Sequence, residues 1–563
     1  VSREGQSGAV RRLAPLTVLL LACAGGGSLR LGTDAAADIS DAVDVAPDVR
    51  PTLTPDDEDC ATAASRRGPR GCLFYASQTL HSVLARLVPG ARREEFPFGI
   101  VLANGGSRPV TVTLSGGPFA TPITREVPSL GATTVDVPWI TALADGVDHL
   151  HRRSAIARRG AVIVRSTAPV TAYQFSPLRV RLGDDLCRNR LPDSCYAFSA
   201  DASLLLPAHA LGTEHVAVSL ATQRVLAQGR TEWSSSPGFV TVVGTRDGTT
   251  VDLRVHGRIA AGEGVAAPGP DGAVRVTLDE GDVVQVLSGH DGLCADERYD
   301  RVNDSTFCVP RADEDLTGTT LTSSHPVAVF VGHDCASAPF DRFACDHLEE
   351  QLPPVSVLGT SYVIPRVPPA LPARPADPPE GEPTLVRVVG ARDGTTLRFD
   401  PPDAHAVTTL DRGEVLEFET RDDVILDASA AVLVATLRVG AEYYPTALGL
   451  SGGALGDPSL SIETPVQQYR TRYELFAPQG FPRTMISVVA SGAPPLLDGV
   501  PLTGTPRARG GRQVWSMRVS DGFHRVEAAT PTGRVGVRLL GDAPFSSYMV
   551  PGGGDLLAIT APL

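Results

Sequence analysis

A ten-residue block occurs twice in this chain. Val242-Val243-Gly244-Thr245-Arg246-Asp247-Gly248-Thr249-Thr250-Val251 returns as Val388-Val389-Gly390-Ala391-Arg392-Asp393-Gly394-Thr395-Thr396-Leu397. Each copy sets Asp-Gly between alternating β-branched runs, the strongest short signal for a β-hairpin. After each block comes a Gly-acid-apolar strand, residues 281–287 and 413–418, and then a small-polar step into a further strand, residues 323–330 and 428–434. An earlier unit follows the same outline through residues 98–103, 110–114, 131–137 and 166–173, and a fainter one runs from Met485 to Leu540. The linking segments Leu206-Pro207 to Gly212-Thr213 and Leu352-Pro353 to Gly359-Thr360 also echo one another. The chain is therefore built on one plan used four times.

A repeated plan of short strands cannot stand as isolated hairpins, so the units stack into sandwiches or close a ring. With 56 Gly, 47 Pro and little helical periodicity, the fold class is all-β: tandem antiparallel modules, sandwich-like and packed in series, with an irregular four-bladed propeller as the alternative. At 563 residues several cores are needed. The expected divisions are a signal segment at 1–22, a tether at 23–59, and modules at 60–200, 201–345, 346–460 and 461–563.

Arg11 and Arg12 precede an apolar run from Leu13 to Leu21, then Ala22, Cys23, Ala24 and Gly25. That is the layout of a secretory signal, too short to span a bilayer. Leu20-Leu21-Ala22-Cys23 resembles a bacterial lipobox, which makes Cys23 the lipidated residue; Ala24 then implies sorting to the outer membrane. The acidic stretch that follows, with Asp34, Asp38, Asp41, Asp44, Asp48 and residues 56–59, reads as a self-repelling tether. The expected location is the outer membrane or cell surface, held by lipid only.

Eight cysteines remain: Cys60, Cys72, Cys187, Cys195, Cys294, Cys308, Cys335 and Cys345. They fall as close neighbours, so sequential pairing is the simplest scheme for an exported chain.

All 50 basic residues are Arg, which removes Schiff-base, P-loop and kinase lysines from consideration. A net charge of -14 with scattered Arg disfavours nucleic acid as a partner.

Asp315-Leu316-Thr317-Gly318-Thr319, Pro326 to Phe330, Gly332-His333, Cys335 and Cys345-Asp346-His347-Leu348-Glu349-Glu350-Gln351-Leu352-Pro353 closely resemble the IgGFc-binding protein amino-terminal domain family. Further likeness lies in Asp201 to Pro207, Gly456-Asp457-Pro458, Leu497-Asp498-Gly499 and Ser547-Tyr548 with Pro551-Gly552-Gly553. The resemblance implies a non-enzymatic extracellular binding or adhesive module, without cofactor, whose ligand is an unidentified protein or glycan. It singles out His333, Asp346, His347, Glu349 and Gln351 on one polar loop, expected to position neighbouring modules and meet the ligand. The chain lacks the family's von Willebrand type D repeats, and Ser459 stands where the Gly-Asp-Pro-His self-cleavage motif has His.

Two enzyme readings stand beside this one. His333-Asp334-Cys335 and Cys345-Asp346-His347 have the ligand types for tetrahedral zinc, though in an exported chain the same cysteines form a disulfide. Gly449-Leu450-Ser451-Gly452-Gly453 matches a nucleophile elbow, but Ala454-Leu455-Gly456-Asp457-Pro458 cannot supply the helix that motif needs. The alternative function is thus a metal-dependent or serine hydrolase using His333, His347 or Ser451. Trp139, Trp233 and Trp515 are the candidates for a glycan-stacking surface.

Overall fold

Both Arg-Asp-Gly-Thr blocks form turns held by the same bonds. Gly248 and Gly394 take φ of +71° and +65°, a left-handed conformation that glycine adopts without steric cost. Gly248 donates its N–H to Asp279 at 2.9 Å and Gly394 donates to Asp411 at 2.8 Å. Asp247 and Asp393 accept from the N–H groups of Glu280 and Arg412. The carboxylates in these turns therefore tie one loop to the next.

This computed structural model describes residues 53, 55–85, 92–145, 152–188, 190, 195–301, 303–342, 344–369, 381–440, 443 and 455–561. The expected signal segment, Cys23, most of the tether and Ser451 lie outside the described residues.

The strands flanking each Asp-Gly turn do not pair with one another, which corrects the hairpin expectation. Gly238–Gly244 pairs with Val283–Leu287, Thr249–Arg254 pairs with Ala273–Leu278, and both pair with successive halves of the long strand Thr320–Ser337. Thr384–Gly390 and Thr395–Asp400 likewise pair elsewhere, with Val432–Arg438 and Val424–Ala428. The turn carries the chain from one layer of a sandwich to the other. Local sequence encodes the reversal of direction, whereas the partner is chosen by the long strand that runs through both layers.

The same two-layer unit occurs four times. Its connecting strand is Val162–Ser176 in the first unit and Thr320–Ser337 in the second; it is split into Val424–Ala428 and Val432–Arg438 in the third, and into Gly522–Glu527 and Val535–Ala543 in the fourth. In each unit the inner layer ends on one more antiparallel strand: Asp201–Leu205, Cys345–Gln351, Ser459–Ile462 and Ser546–Pro551. The fold is all-β, and the four units are antiparallel sandwiches. Their inner strands pack in cyclic order, with the fourth returning to the first, so the series closes into a ring.

Apolar burial closes the ring as well. One core joins Phe74 and Ile100 of the first unit to Val243 and Phe330 of the second; another joins Tyr173 and Phe175 to Ile486, Trp515 and Tyr548 of the fourth. A third runs from Val331 to Val389 and Leu433, and a fourth from Ile425 to Val489 and Val514. Each fully buried side chain of this size contributes roughly 1.5–3 kcal/mol relative to exposure.

The links between units repeat too. A Pro opens a short 3-10 turn after each of the first three inner strands: Pro207 before Ala208–Ala210, Pro354 before Val355–Val357 and Pro465 before Val466–Gln468. Each Pro lies against a glycine so closely that an added Cβ would come within 2.4 Å: Gly71 on Pro207, Gly212 on Pro354 and Gly359 on Pro465.

The cysteines pair as Cys60–Cys72, Cys187–Cys195, Cys294–Cys308 and Cys335–Cys345. The third bridge staples a small sheet attached to the second unit, in the strand order Ser234–Ser236, Gln223–Leu226, Ser305–Cys308, Glu297–Asp300. Among the described residues no helix is long and apolar enough to cross a membrane.

Candidate functional site: the polar axis of the ring

Strands with one wet face alternate polar and apolar residues, but the inner strands are buried almost throughout. Their polar side chains therefore need partners inside the protein; several find them on the neighbouring units, whereas the hydroxyls of Ser203, Ser459, Ser461 and Ser546 and one polar atom each of Asp346, Glu350 and Gln351 have none. Asp201 is the centre of this arrangement. Its Oδ2 accepts the backbone N–H of Glu349 at 3.1 Å and of Leu460 at 3.0 Å; its Oδ1 accepts that of Met549 at 3.4 Å and its neighbour Ala202 at 2.9 Å. One carboxyl group from the first unit thus reaches the inner strands of the other three.

The strand Cys345–Gln351 answers in kind. Asp346 Oδ1 accepts from the N–H of Ala200 at 2.7 Å, Glu350 Oε1 from Leu204 at 3.2 Å and Gln351 Oε1 from Leu206 at 2.7 Å. These three side chains replace a sheet ladder between two inner strands that do not pair directly. Burial pushes the carboxyls of Asp201, Asp346 and Glu350 well above the usual range; the Asp457 charge adds to the effect at Asp346, and the Asp201 charge at Glu350.

Two histidines stack beside this axis. His81 and His347 lie with ring centroids 4.1 Å apart and planes 9° from parallel, both fully buried. His81 bonds Ser176 at 3.1 Å and Ser199 at 2.9 Å. His347 Nε2 lies 3.3 Å from Thr79 Oγ1, which donates to Glu349 at 2.9 Å; Gln174 donates to the other Glu349 oxygen at 3.2 Å. Burial, then the neighbouring His347, then Arg93 hold His81 well below the ordinary imidazole value, so it is neutral here.

His333 is held differently. Its Nε2–H donates to the Ala221 carbonyl at 3.1 Å while its Nδ1 accepts from the Cys335 N–H at 3.2 Å. Burial lowers its pKa to about 4. The adjacent Asp334 carboxylate takes the Ser82 N–H and hydroxyl and an ion pair from Arg152 at 3.1 Å.

The residues expected on one polar loop lie instead on two paired strands. His333 is in Thr320–Ser337, and Asp346, His347, Glu349 and Gln351 are in the strand paired to it, all at most 3% exposed. Their polarity marks a seam between units rather than a surface. Sequence reasoning assigned no role to His81, Ser176, Ser199 or Thr79, and named Asp201 only for its resemblance. The one signal in the sequence was the run from Asp346 to Gln351, which sets polar residues on both faces of a strand that ends in Leu352-Pro353.

The chemistry open to these groups follows from their placement. Cys335 and Cys345 are joined to each other, so neither offers a thiolate to zinc. Ser199 Oγ sits at a nucleophile-to-base distance from His81, but both are 0% exposed and a substrate has no approach. Trp515 is buried, while Trp139 is half-buried and donates to the Phe96 carbonyl at 3.0 Å.

A closed ring of disulfide-stapled β-sandwiches, joined through buried polar strands, defines a class of extracellular-type β-repeat protein. The family model described as IgGFc binding protein matches residues 201–541. The chain belongs to that family. It is similar to the IgGFc-binding protein of Homo sapiens, with 30% identity over 252 residues, 45% of this chain and 4% of the human protein. The match therefore covers a small fraction of that relative's length.

Proposed function

We propose that this chain is an exported, lipid-anchored surface module that binds an extracellular protein or glycan and catalyses no reaction. Family membership supports a binding role. The observation that carries the reading is the inward turn of the family-like stretch 345–353: Asp346, Glu350 and Gln351 each bond the backbone of the first unit's 200–206 segment. That stretch builds the ring, which leaves recognition to the outer loops and to sheet edges such as the stapled hairpin carrying Leu293 and Tyr299, exposed at 66% and 59%. The division into modules at 60–200, 201–345, 346–460 and 461–563 belongs to the same proposal, with its first two boundaries moved past Asp201–Leu205 and Cys345–Gln351, which close the units before them. The four disulfides favour an oxidising, extracytoplasmic compartment.

The experiment is binding of the chain carrying Cys23→Ser to immobilised human IgG Fc and to a glycan array, with ester and glycoside substrates assayed in parallel. Saturable binding to a protein or glycan without turnover supports the reading. Turnover of any substrate at a rate that survives repurification, without saturable binding, overturns it.

A further inference from the structure

We infer that the Cys294–Cys308 bridge is a site of thiol–disulfide exchange, opened by an external thiol at Cys294 while Cys308 leaves as a thiolate against Arg224. The exchange acts on the stapled hairpin that carries Leu293 and Tyr299, and it is independent of what that hairpin or the outer loops bind.

Strand register sets the pair. Arg224 on Gln223–Leu226 lies directly opposite Cys308 on Ser305–Cys308, so both side chains leave the small sheet on the same face. Arg224 Nη2 stands 3.2 Å from Cys308 Sγ and also donates to the Leu293 carbonyl. Both residues are 3% exposed, so water screens the contact little. Among the described residues, no other bridge has a guanidinium at its sulfur. Three further titratable groups face the pair. Glu314 lies 3.6 Å from Arg224, beyond hydrogen-bond distance, and is shared with Arg311 at 3.7 Å. Glu297, opposite Cys308 on its other side, is exposed and screened. His290 has its pKa lowered by burial and then by Arg224, so at pH 7 it is neutral. A cation touching a sulfur favours its thiolate, which makes that sulfur the better leaving group.

Access separates the two sulfurs. Cys294 is half-buried in a run, 291–297, whose other members are exposed, whereas Cys308 is buried. An external thiolate therefore attacks Cys294 Sγ. The Cys294–Cys308 bond breaks, its electron pair goes to Cys308 Sγ, and a new disulfide joins the reagent to Cys294. A second thiolate, in a dithiol the reagent's own, attacks the reagent's sulfur and releases Cys294, which takes a proton. The protein has then gained two electrons and the dithiol has become a disulfide. Opening removes the covalent tie between the segment before Glu297–Asp300 and the strand Ser305–Cys308, so the setting of Leu293 follows the thiol content of the surroundings.

The test is limited reduction of the full chain with glutathione, quenched with acid and N-ethylmaleimide and read by peptide mapping. Cys294–Cys308 should open first, at least about tenfold faster than Cys335–Cys345, with glutathione on Cys294 and maleimide on Cys308. Another bridge opening first, or glutathione on Cys308, overturns the assignment. Arg224→Gln should slow opening about three- to tenfold. If Arg224 only holds the sheet together, its loss loosens the sheet and speeds opening; that result, or an unchanged rate, also overturns it. A second measurement leaves Arg224 in place. In Cys294→Ser the Cys308 thiol is free, and its thiolate absorbance at 240 nm should appear at least about one pH unit below the ordinary thiol value of about 8.5. Titration at or above that value overturns the role of Arg224, whatever the fate of the Arg224→Gln variant.

Discussion

Asp201 accepts the backbone N–H of Leu460 at 3.0 Å, joining the inner strand of the first sandwich to that of the third across the axis of the ring. The same oxygen takes Glu349 and its partner oxygen takes Met549 more loosely. Asp201→Ala would leave these N–H groups buried without acceptors, at roughly 1–3 kcal/mol each. The expected loss in a urea titration is roughly 3–6 kcal/mol, with Asp201→Asn losing less than half of that because it retains an acceptor. An alanine variant within about 1 kcal/mol of the parent would show that the carboxyl ties nothing together.

Cys345→Ala removes the bridge to Cys335, a sequence separation of 10 that closes the hairpin leading into the second inner strand. Restricting a loop of this size contributes roughly 3 kcal/mol. Denaturation of the oxidised protein should show that loss, and metal analysis of the parent should find no stoichiometric zinc. One zinc per chain with both thiols reduced would restore the metal reading.

His215 is 1% exposed and neither ring nitrogen has a hydrogen-bond partner, while burial lowers its pKa to about 3. Its folded value is depressed, so the unfolded chain takes up the proton first, near pH 6.5. The folded state then loses stability as pH falls from there towards the folded value. Between pH 7 and 4 this one residue accounts for roughly 3 kcal/mol of loss. His215→Phe should flatten stability over that window by about this amount. Asp346 and Glu350 act in the opposite sense: burial raises them, so their contribution is complete below the carboxylate range and fades as pH rises through their folded values. An unchanged acid slope in His215→Phe would mean that His215 is not the group titrating.

Cys23→Ser should move the protein from the detergent phase to the aqueous phase in a phase-partition experiment, because a single acyl-bearing residue is the proposed anchor. Partition identical to that of the parent would remove lipidation from the proposal.

The repeats were legible because Asp247-Gly248 and Asp393-Gly394 report local backbone geometry, and geometry of that kind is written in a few residues. The cysteine pairs were legible for a similar reason, since each joins near neighbours. What the Asp-Gly turns do was not legible: the partner of Thr249–Arg254 is set by Thr320–Ser337, some seventy residues later. The polar axis was hidden for another reason. Asp346, His347, Glu349, Glu350 and Gln351 have the composition of a solvated loop, and the groups that bond them come from distant segments: Ala200, Leu204 and Leu206 for Asp346, Glu350 and Gln351, and Thr79 and Gln174 for Glu349.

Solenoid proteins can gain or lose a repeat at modest cost, because each repeat touches only the ones beside it. Closure removes that freedom here. The Asp201 carboxyl meets one strand from each of the other three units, and the cores on either side of the first unit are completed by the second and the fourth. Deleting one unit would leave Asp201 an unmatched acceptor and two apolar faces uncovered, while inserting a fifth would pull a partner out of its reach. Copy number in this protein is therefore a geometric constant, so divergence can act on loops and surface edges but not on the count.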